Sequence, residues 1–370
     1  MSSSSRSSLD GSRGETIDWP QTKGAYQLVT ISGYGSNPHS TNWLGRCLAN
    51  GEAVSIRRID LDLVSDKFLQ TPNYILGTKH PNVLPQYVSF IEESELWIVS
   101  KQSEGSVEDF LASVAPNGLP ETIIVPVLTQ VLIALDYLHS NNFIHRDIRA
   151  KHIHIDTDGT VMITYLSKMK ALMQKGRKVQ AHTLNVGALH WCAPEALHNP
   201  SRDPGEASAG YNSSADIWSF GITALEMAQG SPPHAHAPSE IFASLSTNFA
   251  PPTLRDNIAK EFSSNFKEVI ESCLVVQADK RPTAKDLLSR AIFKKQIKKS
   301  KEKIAAWIKD LERKGLNYER RLEIAKKKLA NFHDHTDSDS DSANASKPID
   351  VPTKTSAASS SSISSSSLTS

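Results

Sequence analysis

Cysteine is scarce in this sequence: three in 370 residues, Cys47, Cys192 and Cys273, at unrelated spacings. Such a set builds neither a disulfide framework nor a zinc site, and it fits a reducing compartment. An excess of one charge is missing too. Lys plus Arg number 41 and Asp plus Glu 40, which gives no general case for nucleic acid or an anionic membrane as the main partner. No hydrophobic run approaches the roughly 18 residues of a membrane span. The Ser-rich start lacks the apolar stretch of a signal peptide. These absences lead us to expect a cytoplasmic protein, or one that also shuttles into the nucleus, binding neither nucleic acid nor membrane.

What is present is enough apolar matter, 39% of residues, for one large or two modest cores. Residues 1–22 are Ser-, Gly- and Arg-rich and read as disordered. From Ala25 onward, short β-rich pieces follow: Ala25–Val29, Ala53–Ile56, Tyr87–Phe90 and Glu95–Val99, with turn residues such as Asn50-Gly51 between them. They predict a small antiparallel sheet within residues 23–103. After Gly105 the period changes to helical. Ile124, Val127, Val131, Leu135 and Leu138 share one face, and Pro126 marks a kink or the first turn. In 153–163, apolar residues alternate on either side of Asp158-Gly159, a hairpin signal. Residues 216–292 read as mostly helical, which completes a large lobe over 104–296. Residues 297–332 predict a separate basic helix with an apolar seam at Ile304, Ile308 and Leu311, interrupted by Gly315. Residues 333–370 form an acidic and Ser-rich tail that reads as disordered.

Four marks then fall in the order and spacing of a protein kinase. They are His145-Arg146-Asp147, Ala193-Pro194-Glu195, the run Ala215-Asp216-Ile217-Trp218-Ser219-Phe220-Gly221, and Asp279-Lys280-Arg281-Pro282. The resemblance implies an α+β, bilobal, protein-kinase-like fold with an antiparallel small lobe, a mainly helical large lobe and disordered termini. It also implies structural roles: Glu195 paired with Arg281, and Asp216 holding the backbone of the His-Arg-Asp loop.

The chemistry of such a fold needs a strand Lys held by a helix Glu, an Asp and an Asn on magnesium, and a loop Asp to receive the hydroxyl proton. Here most of these are absent. Gly33 and Gly35 survive from the Gly-rich loop, but Pro38 or Ser40 stands where the third glycine belongs. Phosphate contact and an ordinary hairpin turn are both open. Arg57 replaces the Lys; it keeps a charge but not a compact ammonium, and it reads either as a phosphate contact or as a solvated edge-strand residue. No Glu occurs between 61 and 91, so the helix expected near Ser65–Gly77 lacks its carboxylate unless Asp66 serves. Asp147 remains, but Arg149 stands for the loop Lys and His152 for the metal-binding Asn. Tyr165-Leu166-Ser167 stands where Asp-Phe-Gly belongs. Neutral imidazole is a poor magnesium ligand. Losing both metal ligands costs about a thousandfold or more in rate. The sequence therefore predicts no metal site and no catalytic residue beyond a vestigial Asp147. Gly33, Gly35, Arg57, Arg149 and His152 remain as candidates for a nucleotide held without protein-bound metal.

These deviations resemble one family, the STRAD (sterile-twenty-kinase-related adaptor) pseudokinases. The matching stretches are Gly51–Leu61 with its Arg57-Arg58 pair, His80–Pro85, Glu95–Val99 and Lys151-His152-Ile153. The resemblance implies an allosteric adaptor that binds and activates a Ser/Thr kinase of the liver kinase B type, upstream of AMP-activated kinase. It further implies an armadillo-type scaffold partner and ATP without metal. No terminal Trp-Glu-Phe of the scaffold-docking kind occurs, so a scaffold would need another surface. The activation segment, 166–195, is basic (Lys168, Lys170, Lys175, Arg177, Lys178) and reads either as client surface or as a solvated loop. Two other readings compete: a divergent, weakly active Ser/Thr kinase of the sterile-twenty type, and a nucleotide-binding scaffold without a kinase client.

Overall fold

The computed structural model describes residues 18–34, 39–63, 79–164, 169–174, 177–178, 181, 186–197, 210–235, 250–254 and 261–327. Five strands come first: β1 (Tyr26–Tyr34), β2 (Ser40–Cys47), β3 (Ala53–Asp60), β4 (Gln86–Glu92) and β5 (Glu95–Lys101). They pair antiparallel in the order β1-β2-β3-β5-β4. Alternation sorts their side chains. Val54 and Ile56 of β3 face inward with Tyr26, Cys47, Val88, Phe90, Trp97 and Val99 to form one core. Arg58, on that same face of β3, closes the end of this core. It donates to Glu95 and lies 5.2 Å from the Trp97 ring centre and 5.9 Å from that of Trp43.

The second lobe is built on two buried helices, α2 (Glu121–Ser140) and α4 (Ser214–Gln229), with α1 (Val107–Val114) and α3 (Pro194–Leu197) beside them. Ser106 and Asp109 close a reciprocal cap at the start of α1. Helix α2 is buried on every side from Ile123 to Leu132, so the single apolar face read from the sequence understates it. At 20 residues it is long and apolar enough to cross a membrane, contrary to the sequence reading that no run comes close. Its burial makes it a core helix. Pro126 lies inside it, past the first turn. The hairpin around Gly159 forms as β6 (Ile153–Ile155) and β7 (Val161–Ile163), in the register Ile153↔Ile163. Gly159 has φ 80°, a left-handed conformation that suits glycine.

Helices α5 (Ser264–Cys273), α6 (Ala284–Ser289), α7 (Ala291–Lys294) and α8 (Ser300–Arg313) complete the lobe. Ile304, Ile308 and Leu311 of α8 lie in the same core as α2 and α4. The seam legible in the sequence is thus buried inside the large lobe, and α8 is part of that lobe. The two lobe cores share no residue. Asn82 ties them on one side: its Nδ2 donates to Gln130 Oε1 (2.9 Å) on α2 and to Val161 O (2.8 Å) on β7.

Candidate functional site

Helix α4 organises the loop that carries Asp147. Positions 216, 223 and 226 fall near one helical face, since spacings of seven and ten residues return close to the same side. Asp216, fully buried, accepts the backbone N–H groups of His145 and Arg146, each at 2.8 Å, and stands 2.9 Å from His139 Nε2. The Thr223 hydroxyl is 3.1 Å from Ile148 O. Glu226 accepts from Ala150 N at 3.0 Å and from the Trp191 indole at 2.9 Å. The grip by Asp216 has a clear purpose in the backbone. Arg146 has φ 72°, a conformation that costs a non-glycine residue about 1–3 kcal/mol and needs a fixed partner to persist. Arg146 also donates from Nε to the Tyr211 hydroxyl at 2.7 Å.

Within this frame Asp147 is 1% exposed, Arg149 8% and His152 4%. Arg149 Nε is 3.0 Å from Asp147 Oδ1, and His152 Nδ1 is 3.4 Å from Oδ2 and 3.0 Å from the Asp147 carbonyl. The guanidinium of Arg149 also stacks 5.3 Å from the Trp191 ring centre. The two residues that replace a kinase's Lys and Asn therefore pack against the Asp147 carboxylate. Burial pushes the Asp147 carboxyl up, but His152 and Arg149 outweigh it and hold the group below the usual carboxylate range. Burial takes His152 down to about 4, so it is neutral at physiological pH. We assign the state as ionised Asp147, neutral His152 and Arg149 as counter-charge. Neither carboxylate oxygen has an aligned hydrogen-bond donor among the described residues, so the pairing is coulombic and the loop stays ionic inside the fold.

Magnesium, implied by the fold, does not fit this donor set. At the Asn position stands a buried imidazole turned onto Asp147 and its carbonyl. The described residues contain no cluster of three metal-ligating side chains. A hard dication prefers oxygen.

The other candidates divide. Gly33 pairs with Asn42 at the end of β1, whereas Gly35, Pro38, the 65–77 helix with Asp66, and Tyr165-Leu166-Ser167 lie outside the described residues, as do Lys168 and Lys175 of the activation segment. Arg57 sits on β3, the central strand of its sheet, which corrects the edge-strand alternative. It points to the face opposite Arg58, and its Nη2 donates to Ser40 Oγ at 3.4 Å. The structural pair forms as expected: Arg281 donates to both oxygens of Glu195. Sequence reading missed Glu226 and Trp191. The signal for Glu226 was a lone acid inside the apolar run Ala224-Leu225-Glu226-Met227-Ala228.

The protein kinase domain family model matches residues 45–293. The chain belongs to the protein kinase family, on its STE20-related adaptor branch. It is 32% identical over 326 residues to mouse STE20-related kinase adapter protein alpha, covering 75% of this chain and 74% of that protein. It is also 32% identical over 289 residues to serine/threonine-protein kinase fray1 of Dictyostelium discoideum, and 35% identical over 299 residues to germinal center kinase 3 of Caenorhabditis elegans. Those matches cover 76% and 75% of this chain, which spans about half the length of each of these two relatives (48%).

Proposed function

We propose that this protein is a catalytically deficient pseudokinase that acts as an allosteric adaptor for a Ser/Thr kinase of the liver kinase B type, upstream of AMP-activated kinase. One observation carries the reading: the would-be base, Asp147, is buried under Arg149 and His152, the residues that replace the kinase Lys and metal ligand. A base must reach the hydroxyl it deprotonates; this one faces a guanidinium. A fold kept intact around a disabled loop is suited to binding. An adaptor activates a client by binding its active state more tightly, and a preference of about 10⁴-fold moves the client from mostly inactive to mostly active. In this reading an armadillo-type scaffold completes the complex, Arg57 and Gly33 face a nucleotide held without metal, and the assembly works in cytoplasm and nucleus. The test is recovery of bound kinase from cells by affinity purification, followed by assay of that kinase with and without this protein. Stimulation of the recovered kinase supports the reading; recovery of no kinase overturns it.

A second reading, a weakly active kinase, draws on the retained Asp147 and on relatives named as kinases. It requires magnesium-dependent peptide phosphorylation by purified protein that disappears in Asp147→Ala.

A further inference from the structure

Beyond Arg313 the chain breaks at Gly315, which has φ 77°, and residues 318–327 are helical again. This second helical piece does not lie on one lobe. Arg321, 2% exposed, has Nη2 2.6 Å from Glu104 Oε2 and 3.4 Å from Glu104 O, and its Nη1 donates to Leu316 O at 2.6 Å. Its guanidinium carbon sits 4.8 Å from the Phe110 ring centre on α1. Five residues on, Lys326 Nζ reaches Thr30 Oγ1 of β1 at 3.4 Å, and Ala325 between them is buried. Glu104 belongs to the short connection between β5 and α1 by which the chain passes from the small lobe to the large. One helical turn and a half thus touches the large lobe, the connection and the small lobe in succession.

We infer that residues 316–327 are a strap that sets the angle between the lobes by pinning the 102–106 connection through Arg321 and Glu104. The two cores are separate, so a change of lobe angle concentrates its backbone rotation in the segments that join them. These are 102–106 and, on the other side, Asn82–Leu84, where Leu84 N and Asn82 O pair with Ile163. A buried arginine anchored to Phe110 and Leu316 on the large-lobe side resists rotation at Glu104, because turning that residue strands a desolvated guanidinium. Lys326 carries the tie to the strand that leads into Gly33. The inference rests on the fold and not on the adaptor reading; a preset lobe angle serves any binder that must present one surface.

The experiment is hydrogen–deuterium exchange on the full chain, comparing wild type with Arg321→Gln, Lys326→Ala and the charge swap Glu104→Arg/Arg321→Glu. In Arg321→Gln, amides of 102–106 and 82–84 are expected to exchange about tenfold faster, with α4 amides unchanged and the swap returning most of the protection. Lys326→Ala is expected to loosen β1 near Thr30 without affecting 102–106. Unchanged exchange at 102–106 in Arg321→Gln overturns the strap. So does acceleration spread evenly into α4, which would mean lost global stability, or a swap that restores nothing.

Discussion

Arg281 holds Glu195 through two parallel hydrogen bonds, Nη1 to Oε1 at 2.7 Å and Nη2 to Oε2 at 2.8 Å, while the same guanidinium donates to Val275, Val276 and Ser214 carbonyls. The partners are unequally buried: the Arg281 side chain is wholly enclosed and that of Glu195 is 23% exposed. Removing the carboxylate therefore strands a charge that water cannot reach. Glu195→Ala is expected to cost about 3 kcal/mol, a fall of roughly 5 °C in Tm for a domain of this size, read by thermal unfolding. A change within about 2 °C would mean that the carbonyl bonds alone hold Arg281.

Asp147→Asn separates the two accounts of that residue. If the carboxylate is the counter-charge of Arg149, its loss leaves a buried guanidinium without its anion and lowers Tm, by an amount matching about 1–3 kcal/mol. A carboxylate kept at a cost for catalysis would behave oppositely, and its replacement would raise Tm. The sign of the shift in a melting curve decides.

Stability should peak near pH 6.5. Burial takes His152 and His154 down to about 4, against about 6.5 in an unfolded chain. Between those values the unfolded chain binds protons that the fold refuses, so stability falls on acidification. Burial drives Glu226 the other way, up to about 8, against about 4.3 unfolded. From pH ~4.3 to ~8 the fold keeps a proton that the unfolded chain has released, so this group removes stability as pH rises. Below about 6.5 these two histidines, together with His80, His145 and His190, which burial also lowers, outweigh it; well above that value, where unfolded histidines have released their protons, Glu226 dominates. Tm measured from pH 5 to 8.5 should rise and then fall. Glu226→Gln, which can still accept from Ala150 and Trp191, should flatten the alkaline side.

A methyl group at Gly159 has nowhere to go. Its Cβ would stand 2.0 Å from Lys301 O and 2.7 Å from Ala305 N, backbone atoms of α8, at a φ of 80°. Strain and overpacking together make Gly159→Ala cost about 3 kcal/mol or more, checked by denaturant unfolding. An unperturbed midpoint would mean that α8 yields freely, and that its seam contributes little to the core.

Much of this was legible without coordinates. The alternation in β3, β4 and β5, the Asp158-Gly159 turn, and the motifs around Glu195, Asp216 and Arg281 are local patterns whose physics acts within a few residues. The extents of the lobes and the fate of α8 were less so. Ile304, Ile308 and Leu311 reveal an apolar seam, but a seam does not name what it packs against. Helix α2 misled for a related reason: spacing picked out one face, while tertiary packing covers all of them.

By itself the sequence determined which kinase positions lack their usual residue, because a side chain's identity is the same in any fold: Arg57, His152 and Tyr165 stand where a Lys, an Asn and an Asp belong, regardless of geometry. Only the tertiary structure decided what the survivors do. It turned Asp147 inward against Arg149, joined Glu226 to the loop from the far end of α4, and brought Arg321 to Glu104 across more than two hundred residues of chain. Such relationships depend on burial and on which distant side chain shares the same low-dielectric space, and no local pattern encodes that.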